Sequence, residues 1–137
     1  MEIQNTNKVY KTSKSSVYSC QFHVIWTTKY RRKVLNEQIQ SRLKELILEK
    51  QKDFDYEILE MEIMNDHVHL LLDLNPLRGV NKIIGEIKGY TSKVLRGEFK
   101  ELTTRIPCLW TRSKFISTVG SVSLEVVKKY IENQKNV

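Results

Sequence analysis

A chain of 137 residues is one ordinary domain, long enough to bury a real core, and its 40% hydrophobic and 28% charged residues are those of a water-soluble fold rather than a disordered tail. A formal charge of +7 favours polyanionic partners, nucleic acid before an acidic membrane surface, although solubility alone also calls for charge. Two cysteines, Cys20 and Cys108, are too few for a disulfide framework and lack metal spacing, so each reads as a small buried residue; with no signal-peptide core and no run of ~20 apolar residues, a reducing, cytoplasmic setting is expected.

The first ~15 residues are polar and read as an arm. Residues 17–28, "VYSCQFHVIWTT", alternate and are rich in β-branched and aromatic side chains, which predicts a strand. "KYRRK" (Lys29, Tyr30, Arg31, Arg32, Lys33) follows as a basic turn. Asn36 suits the N-cap of a helix reaching Lys52, with Ile39, Leu43, Leu46 and Ile47 as its apolar stripe. Residues 55–65 and 66–74 predict two strands joined at the polar "MND" of 64–66.

Pro76 is expected to open a second helix running to Phe99. Val80, Ile83, Ile84, Ile87, Thr91, Val94 and Leu95 form its core face. The opposite face carries Arg78, Lys82, Gly85, Gly89, Ser92, Lys93 and Arg96. Glycine costs ~1 kcal/mol against alanine inside a helix, so two on one face suggest a close approach by a phosphate strand or by a helix of another subunit. Beyond Pro107, "LWTRSKFIST" predicts a strand over 109–118, ended by Gly120. Ser121 or Ser123 caps a last helix, with Glu125 favouring its N-terminus and Leu124, Val127 and Ile131 as its core stripe. The order β-α-β-β-α-β plus one helix predicts an α+β ferredoxin-like or RRM-like fold. Its four-stranded antiparallel sheet has two helices on one face, and the other face stays open unless the last helix covers it.

That open face is where "NDHVHLLLD" becomes informative. His67 and His69 lie on one side of a strand, their Cα atoms roughly 6.5–7 Å apart, while Val68, Leu70 and Leu72 point into the core. Two imidazoles so placed can converge on one divalent metal or one phosphate. An isolated H-x-H pair is also common on strand surfaces. His23 reads as a hydrogen-bonded sheet residue. In the last helix Tyr130 and Gln134 stand one turn apart and point the same way. Gln134 offers a carboxamide oxygen to a hard cation, and Tyr130 a phenol beside it or simply an amphipathic edge.

Together, "VYSCQFHVIWTTKYRRKVL", "DHVHLLLDLNP", "IKGYTSKVLRGEF", "LWTRSKFISTVG" and "VVKKYIENQ" resemble the TnpA-type single-tyrosine transposases of the smallest bacterial and archaeal insertion sequences. These are members of the wider HUH endonucleases, and the resemblance runs from about Ser16 to about Asn136. It implies one catalytic domain over 16–137 behind the arm of 1–15. His67 and His69 match the family's metal-binding histidines, Gln134 its third ligand to Mg²⁺ or Mn²⁺, and Tyr130 its nucleophile. It further implies single-stranded DNA with imperfect hairpins at the element ends as substrate, a 5′-phosphotyrosine intermediate, and a homodimer in which the tyrosine helix can dock on the partner's histidines. No ATP is needed, in keeping with the lack of a G-x-x-x-x-G-K-[ST] loop. The family's basic tail beyond this helix has no match here, since the sequence ends three residues after Gln134.

Within that reading Lys29, Tyr30, Arg31, Arg32, Lys33, Arg78, Lys82, Lys93 and Arg96 are candidate DNA contacts, and Trp26, Tyr30 and Trp110 candidate stacking platforms. Two alternatives share the fold: a module that grips single strands without cutting, and a domesticated relative acting on chromosomal palindromes.

Overall fold

Side chains that alternate along a strand give a sheet two chemically different faces, and that division organises this molecule. The computed structural model describes residues 11–12, 17–119 and 124–137. A short antiparallel pair, β1 (Lys11–Thr12) and β2 (Val17–Tyr18), precedes the main sheet. The main sheet contains β3 (Gln21–Thr27), β4 (Tyr56–Ile63), β5 (His67–Leu74) and β6 (Phe115–Thr118), ordered β4-β5-β3-β6 with every neighbouring pair antiparallel. This is the expected split β-α-β-β-α-β arrangement, with α1 (Glu37–Glu49) and α2 (Val80–Glu98) packed against each other as its two helices.

One face of the sheet and these helices form the core. Val24 and Trp26 of β3 and Val68, Leu70 and Leu72 of β5 cluster with Ile39, Leu43, Leu46 and Ile47 of α1 and Ile83, Ile84, Ile87 and Leu95 of α2. Asn36 caps α1 as expected, its Oδ1 accepting from the Ile39 amide at 2.9 Å. In β4 a bulge between Ile58 and Glu60 shifts the register, so Ile58 and Met61 both pack on the core although they are three residues apart.

Several boundaries differ from expectation, each for a local reason. α1 ends at Glu49 rather than Lys52. Pro76 does not open α2. Asn75 folds the chain into a turn, its Oδ1 accepting from the Leu77 amide and its carbonyl from the Arg78 amide, and the helix starts only after Gly79 at φ 84°. A short helix, α3 (Glu101–Thr104), was not anticipated. The strand expected over 109–118 is confined to Phe115–Thr118, with Trp110 making a single bridge to Thr28. The segment between is drawn aside by Lys88, whose ammonium donates to the carbonyls of Thr111 at 2.7 Å and Ser113 at 3.2 Å.

Trp26 and Trp110 are not free to stack on bases. Both are buried and meet edge to face, and the Trp110 indole donates to Thr91 Oγ1. Cys20 is half-buried, but Cys108 is exposed rather than buried. No helix among the described residues is long and apolar enough to cross a membrane. Residues 1–10 and 13–15 of the expected arm, Ser16, the break at Gly120 and the caps at Ser121 or Ser123 lie outside the described residues, as do the side chains of Leu124 and Glu125.

Candidate active site

The second face of the sheet gathers the polar alternates of the same strands. In the antiparallel register Ile25 lies opposite both His69 and Phe115, Thr27 opposite His67, and Glu62 opposite His69. Phe115, Ile25, His69 and Glu62 therefore form a row across all four strands, and His67 stands one pleat further along β5. Glu60, Glu62, His69 and Leu71 border a shallow depression at the β4 end of this row.

The two histidines are held differently. His67 Nδ1 lies 2.8 Å from Asp66 Oδ1. A carboxylate paired with a guanidinium only accepts, so this nitrogen is the donor and Nε2 faces away from the carboxylate. An imidazole oriented by a carboxylate on its far nitrogen is the arrangement that metal-binding histidines adopt, and the residues present fit a divalent cation in this respect. His69 Nε2 lies 3.2 Å from His23 Nδ1, one of the two donating and the other accepting. His23 is thus the hydrogen-bonded sheet residue expected, and its partner is the candidate ligand itself. Burial first and the neighbouring His23 second push the His69 pKa down, partly opposed by Glu62, which favours neutral imidazole.

α4 (Leu124–Glu132) lies across this face, packed on β3, with Val127 buried and the Tyr130 ring 5.4 Å from that of Phe115. It covers the face that would otherwise be open. Tyr130 sits over the β6 end of the row whose third member is His69, two strands or roughly 10 Å away across the sheet. Its hydroxyl is buried beside the Ser113 hydroxyl and is hydrogen-bonded to neither imidazole. Burial pushes its pKa up to about 12, with the nearby Ser113 hydroxyl pulling the other way.

Gln134 is not on the helix, which ends at Glu132. It occupies the turn beyond, where it is buried, and its Oε1 accepts from Ser113 Oγ at 3.2 Å. Ser113 therefore stands beside both residues singled out at the C-terminus. Its own position depends on Lys88, whose ammonium is pushed down to about 8 by burial and by the charge of Lys114.

The basic residues fall into two groups. Lys33, Lys82 and Lys93 project to solvent, as does Arg32, and Tyr30 is 42% exposed with the Lys29 ammonium 4.9 Å over its ring. The three other arginines are engaged within the chain: Arg31 with Asp66, Arg78 with Asp55 and Glu86, and Arg96 with the Pro107 carbonyl. Gly85 and Gly89 lie on the exposed side of α2 with nothing within 4 Å of where a Cβ would stand.

Asp66, Ser113 and Lys88 escaped the sequence reading. Only Asp66 carried a signal, as the residue before the first histidine. The other two act through contacts 21 and 25 residues distant, which no local pattern encodes.

The comparisons with known proteins give the family and the fold. The family model "Transposase IS200 like" matches residues 16–134. The ISDra2 transposase TnpA of Deinococcus radiodurans is 31% identical over 126 residues, covering 90% of each chain. The transposase for insertion sequence element IS200 of Salmonella typhimurium is 27% identical over 119 residues, covering 85% of this chain and 78% of that one. A crystal structure of a Deinococcus radiodurans R1 protein, provisionally described as a transposase, superposes with a TM-score of 0.84 at 30% identity over 93% of this chain and 99% of that one. A REP-associated tyrosine transposase bound to a REP hairpin shares the fold, with a TM-score of 0.56 at 12% identity over 96% of this chain and 69% of that one. With a family model spanning the sheet, both core helices and the tyrosine helix, the chain belongs to the IS200-like transposases.

Proposed function

We propose that this transposase cuts and rejoins single-stranded DNA at insertion-sequence ends, with Tyr130 as nucleophile. The observation that supports this most is the placement of α4 on the histidine-bearing face of the sheet, which sets the Tyr130 ring against Phe115 at the end of the row Phe115–Ile25–His69. In the step envisaged, the phenol oxygen bonds to the scissile phosphorus as the bond to the 3′ oxygen breaks. The products are a 5′-phosphotyrosine and a free 3′-OH, and the phenolic proton ends on the departing oxygen by way of solvent. One phosphodiester replaces another, so no nucleotide cofactor is required.

His67, His69 and Gln134 are the residues that would hold Mg²⁺ or Mn²⁺. When bound, such an ion supplies positive charge against the phosphate and fixes its orientation. Three neutral ligands leave that charge undiminished. Asp66 keeps the His67 lone pair directed away from itself, and Ser113 holds the Gln134 carboxamide. Arg32, Lys33, Lys82 and Lys93 are exposed cations for DNA backbone contacts and Lys29 a half-buried one, Tyr30 is the exposed ring for an unpaired base, and Arg31, Arg78 and Arg96 are further contacts if the strand competes for their internal partners. An imperfect hairpin is the proposed mark of the substrate, a homodimer the working assembly and the cytoplasm the compartment.

The test is a covalent adduct that survives SDS. Wild-type protein incubated with a single-stranded end hairpin and Mn²⁺ should form it, and chelator should prevent it. Tyr130→Phe should reduce it by at least ~10³-fold, since no other group replaces the nucleophile. An adduct formed equally well by Tyr130→Phe removes that assignment. Metal-independent binding with no adduct in the wild type identifies a non-cutting DNA-binding relative instead.

A further inference from the structure

The basic turn after β3 was expected to face DNA, yet its middle residue is turned inward. Tyr30 and Arg31 adopt φ values of 57° and 52°, in the left-handed region that residues with side chains seldom enter. Two consecutive outliers persist only where surrounding contacts fix them. Here the backbone is pinned on both sides: the Lys29 amide donates to the Leu109 carbonyl and the Tyr30 amide to the Val137 carbonyl. The twist sends Tyr30 outward and Arg31 inward.

Arg31 then bridges two elements of the site. Its Nε donates to Asp66 Oδ2 at 3.1 Å, and its Nη1 donates to the Ile131 carbonyl at 3.0 Å, in the last turn of α4. The other oxygen of Asp66 accepts from His67 Nδ1. Asp66 itself is 5% exposed, and its carbonyl accepts from the Thr28 amide at 2.9 Å. A continuous path therefore runs from the His67 ring through a carboxylate and a guanidinium to the helix that carries Tyr130. Each link has only a few alternatives. The carboxylate has no donors, and the guanidinium has no acceptors and a rigid fork. The Ile131 carbonyl lies in the last turn of its helix, where it also accepts from the Gln134 amide at 3.2 Å, and the carbonyl end of a helix attracts cations.

We propose that Arg31 and Asp66 are positioning residues that couple the orientation of the His67 ring to the docking of the tyrosine helix. Undocking α4 frees one arm of the Arg31 fork, so the guanidinium no longer fixes the Asp66 carboxylate, and the His67 ring that this carboxylate holds loses its fixed angle. Conversely, whatever binds His67 Nε2 restrains that ring and, with it, Asp66 and Arg31 in the orientation that meets α4. Such coupling is reciprocal by linkage. It means that ligand capture at the histidines and presentation of the nucleophile are one event. The consequence for metal rests on the function proposed above; the coupling itself does not.

The experiment uses the full chain without metal, then with Mn²⁺ alone. Hydrogen exchange is followed at the amides of 131–137, and the His67 ring by its imidazole nitrogen signals. Arg31→Met should speed exchange there by about tenfold or more and erase the slowly exchanging Nδ1 proton of His67. Asp66→Ala should do the same. Arg31→Lys, milder in packing, keeps a charge beside Asp66 but cannot span both acceptors, so exchange in α4 should still rise. Titration of Mn²⁺, read from the spin resonance of the free ion, should show affinity lowered about tenfold in Arg31→Met and Asp66→Ala. Unchanged α4 exchange in a folded Arg31 variant, or an unchanged His67 signal in Asp66→Ala, overturns the coupling. A wild type that binds no Mn²⁺ overturns the metal role of His67, while the coupling is still decided by the metal-free signals.

Discussion

Tyr130 is held as a neutral phenol, and its surroundings explain why. Its hydroxyl is buried with the Ser113 hydroxyl beside it, so ionisation in the docked position would place a charge where water is scarce. Burial raises its pKa to about 12 from the usual 10, with Ser113 opposing. An acid whose folded pKa is raised contributes its stabilisation in full below the unfolded value and loses it as pH climbs through the folded one. Docking of α4 should therefore weaken between pH 10 and about 12 in the wild type and less so in Tyr130→Phe. The difference in tyrosine fluorescence or amide exchange between the two proteins across that range checks this. A wild-type profile parallel to that of Tyr130→Phe contradicts it. At this scale the alternation that separates His67 and His69 from Val68 and Leu70 was legible, because it needs only the period of a strand. The Asp66–His67 contact was legible in composition but not in role. The pairing of His23 with His69 spans 46 residues and depends on strand register, which single-sequence patterns do not carry.

The helices were legible wherever their signals were local. Asn36 and the stripe Ile39, Leu43, Leu46, Ile47 define α1 because cap and periodicity agree. Where a side chain competes with the backbone, the boundary moved. Asn75 turned the start of α2 into a loop, and Lys88 pulled carbonyls of 111–113 out of a strand pattern. The α2 glycines give a test at this scale. Nothing among the described residues approaches Gly85 or Gly89, so Gly85→Ala and Gly89→Ala should each stabilise the protein by ~0.5–1 kcal/mol in urea unfolding. If their face meets DNA or a second subunit, the same substitutions should weaken that association. Stabilisation without any loss of hairpin binding or dimerisation would remove the face from both roles.

Across the whole molecule, the order β-α-β-β-α-β was enough to anticipate the sheet, since few topologies join those elements with short connections. What the order left open was which face α4 covers, and that decides whether Tyr130 shares a surface with the histidines. The structure places it there, packed on β3 beside Phe115. The positive charge then has a division of labour, with Arg32, Lys33, Lys82 and Lys93 open to solvent and Arg31 turned inward to tie the histidine strand to the tyrosine helix. The most direct measurement of the account is peptide mapping by mass spectrometry of the protein recovered from a cleavage reaction on a single-stranded end hairpin with Mn²⁺. The account predicts a nucleotide attached through a 5′-phosphate to the peptide containing Tyr130 and to no other. Attachment to a different residue, or cleaved DNA with an unmodified Tyr130 peptide throughout the time course, would contradict it.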